Sequence, residues 1–139
     1  MSAPLAALAG AAVAVTVYLV ARQAGVSMRV PVDPLDPGTQ MVPIGVVGVL
    51  VSSVFPAFAG AIVLALVSRT SRPLTWFLVL AVVLVGASVG PLLWGRDPGM
   101  ALMDGSTRSA LATMHVLRAL VVVWVLSRAY RARPPGAGA

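Results

Sequence analysis

Four long apolar runs divide the chain, and arginine closes each of them. The first extends from about Ala3 to Ala21 and ends at Arg22. The second extends from about Val42 to Val67, before Ser68 and Arg69. The third extends from about Leu74 to Trp94, before Gly95, Arg96 and Asp97. The fourth extends from about Ser109 to Leu126, before Ser127 and Arg128. A helix needs about 20 apolar residues to cross a bilayer's hydrocarbon core. The pattern therefore predicts four spanning helices, over about 3–22, 42–68, 73–95 and 107–130. Pro73 suits the first turn of the third, where its missing N–H would be unpaired anyway. The connections are short, which implies an all-α, up-down-up-down bundle. Residues 1–133 are expected to form a single transmembrane domain, and 134–139 a flexible C-terminal tail. The first run lacks a basic leader and exceeds the usual apolar length of a signal peptide, so it reads as a retained helix.

Composition supports a membrane setting. Of 139 residues, 59% are hydrophobic and 10% charged, against about a quarter charged in a soluble domain. A chain this short has too little interior to hide that much apolar surface from water. There is no Cys, Lys, Glu or Asn. Missing Cys excludes disulfides, thiol redox chemistry and iron–sulfur clusters. Small multidrug exporters depend on a membrane Glu, and fluoride channels on a membrane Asn. Quinone-linked thiol oxidoreductases depend on Cys pairs. This chain lacks each residue type.

Charge placement suggests an orientation. With four spans, Arg69, Arg72, Arg128, Arg131 and Arg133 share one side with both termini. Arg22, Arg29, Arg96 and Arg108 share the other with all the acids, Asp33, Asp36, Asp97 and Asp104. The excess of Arg predicts cytoplasmic termini in a multi-pass cell-membrane protein. The isoelectric point near 11.6 then reflects contact with anionic lipid, not nucleic acid. The longest connection, Gly25 to Pro43, holds Pro31, Pro34, Pro37 and Gly38. It reads either as an extended, turn-rich cap over the outer mouth or as a plain linker.

Small residues mark packing seams. Gly10, Ala14, Gly60 and the Gly86-Ala-Ser-Val-Gly90 pattern let backbones approach closely. The bland expectation is contact within the chain; the sharper one is a homo-oligomer through Gly86 and Gly90. Pro56 and Pro91 each remove a backbone donor and free a carbonyl. Such carbonyls are tolerated in a membrane only against protein or water.

Polar side chains converge on one depth. Counted at helical rise from the outer end, Thr16, Ser52, Ser88 and His115 lie about 9 to 14 Å down, one per helix. Arg118 lies deeper on the face of His115. A charge at a helix centre costs about 2.5 to 3.5 kcal/mol, and no acid lies within the spans. Arg118 must therefore engage carbonyls, hydroxyls, water, a lipid phosphate or an anionic ligand. A structural Arg bonding carbonyls freed near Pro56 is one reading, and an anion site the other. His115 equally reads as a satisfied interhelical residue or as a proton carrier with a pKa near neutrality. A lone His with no membrane acid makes a poor metal or haem site. Met100, Met103 and Met114 read as apolar filler. No cofactor is expected.

Ser88-Val-Gly90-Pro91-Leu92 in the third span and Met114-His115 in the fourth resemble an uncharacterised family of small four-helix membrane proteins of actinobacteria. The closing segment Tyr18-Leu-Val-Ala-Arg-Gln-Ala-Gly25-Val-Ser is also similar. The resemblance implies the fold and the envelope location, places Ser88 and His115 in one layer, and brings no activity with it. The family often has Asn in the first helix, where this chain offers Thr16. The expected function is binding of a small ligand or lipid, or an accessory role to a partner membrane protein, through a polar pocket opening outward. The candidate residues are His115, Arg118, Ser88, Ser52 and Thr16. The alternative is a small membrane enzyme or an anion or proton permeation unit using His115 and Arg118.

Overall fold

A computed structural model describes residues 2–94 and 97–132. The elements are α1 (Ser2–Gln23), β1 (Arg29–Pro31), β2 (Met41–Pro43), α2 (Val46–Val67), α3 (Pro73–Trp94), α4 (Pro98–Ala101) and α5 (Gly105–Arg131). Four of the helices, α1, α2, α3 and α5, are long and apolar enough to cross a membrane. They form the expected all-α bundle. Gly95, Arg96 and the tail over 133–139 lie outside the described residues.

The second span begins at Val46 rather than at position 42. Met41–Pro43 instead pairs antiparallel with Arg29–Pro31, with Val30 opposite Val42. Pro43 biases Val42 toward extended backbone, and hydropathy alone does not separate a strand from the helix that follows it. The fourth span begins with a side-chain cap. The Asp104 carboxylate accepts from the Thr107 N–H at 2.6 Å, satisfying a donor that the first turn leaves open.

In the bundle, α1 lies along α2 and α5, and α3 packs chiefly on α5. Helices α2 and α3, though joined by a short loop, touch each other far less. The α1 side is closed by small residues. A Cβ on Gly10 would stand 2.9 Å from Val122 Cγ2 and 3.2 Å from Arg118 Cγ, and Ala6, Ala14 and Ala57 are fully buried. The Gly86–Gly90 pattern is split, with Gly90 buried and Gly86 exposed. A Cβ on Gly86 would meet nothing within 4 Å, and the atoms nearest to one on Gly90 belong to the ring of Trp94 on its own helix. Helix α3 buries Phe77, Val89, Gly90 and Leu92, so the expectation of a contact within the chain is corrected at Gly86, which is exposed.

The connection between α1 and α2 is a fastened cap, not a plain linker. The Ser27 hydroxyl donates to Asp104 Oδ2 at 2.7 Å, and the Met28 N–H to Thr107 Oγ1 at 3.2 Å. The Ile44 N–H donates to the Met28 carbonyl at 2.8 Å, and Tyr18 Oη to the Ile44 carbonyl at 2.9 Å. Met28 is fully buried with φ of 50°. That left-handed backbone costs on the order of 1 to 3 kcal/mol, and bonds on both sides of the residue hold it. At the far edge, the Gly99 N–H donates to the Pro34 carbonyl at 2.9 Å. A Cβ on Gly99 would lie 2.5 Å from the Asp33 carbonyl oxygen, so only glycine allows this approach. Hydrogen bonds from Ser106, Ser27 and Thr107 hold the Asp104 carboxyl well below the usual carboxylate range.

A cavity between three helices

The sparse contact between α2 and α3 leaves a cavity of about 440 Å³ lined by α2, α3 and α5. Its chemistry is graded along the bundle. Ser52, Ser88, His115 and Arg118 line the part toward the capped end, while Val63, Phe77 and Val123 line the part nearer the opposite end. The gradient follows from chain direction. Helices α2 and α5 run away from the cap and α3 runs toward it, so Ser52, Ser88 and His115 fall at comparable depth.

Arg118 ties α5 to α2. Its Nη1 donates to the Ser52 carbonyl at 3.1 Å. In an α-helix that carbonyl would accept from the residue four positions on. Here that residue is Pro56, which has no N–H. The guanidinium thus supplies the donor that the proline withholds. Among the described residues this is the hydrogen bond Arg118 makes, and a guanidinium carries several further donors. The aliphatic stem of Arg118 rests over Gly10 of α1, which steers the head away from α1 and into the cavity.

His115 is half-buried at the cavity wall. Its Nδ1 lies 2.8 Å from the Leu111 carbonyl oxygen. A carbonyl only accepts, so Nδ1 carries the proton. In the neutral ring, Nε2 is then an acceptor. The Ser52 and Ser88 hydroxyls donate within their own helices, to the Val49 carbonyl at 3.0 Å and the Val85 carbonyl at 2.9 Å. Their oxygens keep lone pairs for a guest.

Four of the five candidate residues therefore meet at one cavity. Thr16 does not join them. It is exposed, donates to the Ala12 carbonyl at 2.8 Å, and belongs to α1, which does not line the cavity. Depth along the helix matched the others, but rotation about the helix did not. Sequence reading missed the apolar part of the lining, Gly60, Val63 and Phe77 among them, because nothing distinguishes these from other apolar positions. It also missed Asp104 as the cap's anchor, although Asp104 followed by Thr107 is a helix-start signal. Among the described residues, no group of three or more His, Cys, Asp or Glu side chains could hold a metal ion.

Helices able to cross a membrane, a hydrogen-bonded cap at one end and a charged group in an apolar cavity define a small multi-pass membrane bundle. The chain belongs to DUF6069, a family of unknown function, whose pattern matches residues 2–132. No curated protein and no solved structure matches it.

Proposed function

We propose that this is a cell-membrane binding protein without catalytic activity, holding a small amphiphile or lipid in the cavity between α2, α3 and α5. The observation that carries the reading is Arg118: a guanidinium in an apolar cavity, in spans that contain no acid, with one donor spent on the Ser52 carbonyl. Such a group stays in a membrane by facing an interior or a wet cavity. Cavities of roughly 300 to 1,000 Å³, mostly apolar with a few polar groups, are ordinary ligand sites. His115, Ser52 and Ser88 complete the polar end, which faces the capped, outward side. The excess of Arg favours cytoplasmic termini. A reporter fused at Ala139 tests this, since activity on the outside reverses the topology. The uncovered Gly86 face suits a second copy or a partner membrane protein.

Filling the cavity is the functional test. Ala119→Trp should strip co-purifying amphiphile from the protein, read by native mass spectrometry, while Leu8→Trp on the lipid-facing side of α1 should not. Equal amounts of bound amphiphile in both variants would sink the proposal. The second reading is a permeation unit or enzyme, favoured by the acceptor nitrogen of His115 beside the cation. It requires anion or proton flux, or turnover, that Arg118→Leu abolishes in proteoliposomes.

A further inference from the structure

Resting on that reading, we propose that the occupant is a single-chain weak acid, a long-chain carboxylic acid. Its carboxyl group lies between His115 and Arg118, and its chain runs toward Val63 and Phe77. The argument begins with size. A volume of about 440 Å³ lies in the range of single small-molecule sites, which suits one alkyl chain with its head. The apolar stretch lies on one side of the polar groups only, so the guest carries its polar group at one end.

Hydrogen-bond complementarity then selects the head. Arg118 offers only donors, and His115 Nε2 offers an acceptor while Nδ1–H is held by the Leu111 carbonyl. The two residues are three positions apart on one helix face. A neutral carboxylic acid matches both: its O–H donates to Nε2 and its C=O accepts from the guanidinium. Transfer of that proton to Nε2 gives a carboxylate between two cations, with strengthened hydrogen bonds and no change in total charge. An alcohol can also donate to Nε2 and accept from the guanidinium, but through a single oxygen and without a charge-assisted bond. A phosphate monoester is largely dianionic near neutral pH and has no proton of its own left to offer Nε2.

The test compares palmitic acid, hexadecanol and hexadecyl phosphate binding to the full-length protein in nanodiscs. The acid should bind about tenfold tighter than the alcohol. His115→Phe should reduce that advantage to about threefold or less. Arg118→Gln, made with Pro56→Ala so that the Ser52 carbonyl regains a helical donor, should do the same. Equal binding of acid and alcohol overturns the carboxylic acid while leaving an amphiphile site. Tighter binding of the phosphate than of the acid overturns it in favour of a permanently charged head. Failure of all three chains to bind overturns the amphiphile site as well.

Discussion

Helix α5 presents two different faces to its neighbours. Toward α1 it meets glycine and alanine at contact distance, with Gly10 set against Val122 and the stem of Arg118. Toward α2 and α3 it presents His115 and Arg118 to open space. The first interface shows what holds a bundle together where lipid removes the hydrophobic drive between helices: small residues that let backbones close. The second shows what remains when a proline and a charge occupy the interface. The Arg118 head bridges the gap to the carbonyl that Pro56 leaves without a donor. One interface favours stability, and the other keeps a cavity.

Substitutions can break this contrast. Gly10→Leu should have the largest effect. Its first side-chain carbon already crowds Val122 and Arg118, and overpacking of this kind costs about 3 kcal/mol. Thermal unfolding in detergent reads it, and an unchanged midpoint would show that the α1 seam is loose. Gly99→Ala should follow, at about 2 kcal/mol, because the new carbon meets the backbone of Asp33 and Pro34 rather than a movable side chain. Hydrogen exchange should then rise across residues 29–43 while α3 keeps its protection.

A double-mutant cycle between Pro56→Ala and Arg118→Leu probes the other interface. Arg118→Leu should be about 1 kcal/mol more destabilising with Pro56 present than in the Pro56→Ala background, because only with the proline is the Ser52 carbonyl orphaned. Additive effects would show that the guanidinium does not serve that carbonyl. The smallest effect belongs to Asp104. Its carboxyl is held below its unfolded value of 3.8 by Ser106, Ser27 and Thr107. The stability it contributes is therefore present above about pH 4 and lost as the pH falls further. Asp104→Asn should remove that acid dependence from the unfolding midpoint.

The four spans were legible because hydrocarbon demands long apolar helices with every backbone group satisfied internally. Orientation about each helix axis was not legible. Thr16 and Ser88 lie at similar depth, yet Thr16 is exposed on α1 and Ser88 lines the cavity. With almost uniformly apolar helices, no polar stripe reports which face turns inward. Gly86 misled for the same reason, since small residues mark a surface able to pack without saying against what. The link between Arg118 and Pro56 was legible, because a freed carbonyl and an unpaired cation each require the other kind of partner. The second strand of the β-hairpin was hidden inside an apolar run, where hydropathy does not separate strand from helix and Pro43 was the one local sign of extended backbone.

Photo-crosslinking with a diazirine-bearing palmitic acid tests the central claim most directly, since it asks which face of α5 receives a guest. Adducts located by peptide mass spectrometry should concentrate on Val63, Phe77 and Val123 and fall away with Arg118→Gln in the Pro56→Ala background. Adducts spread evenly over lipid-facing positions, including Leu8 and Leu19 of α1, and indifferent to that substitution would contradict it.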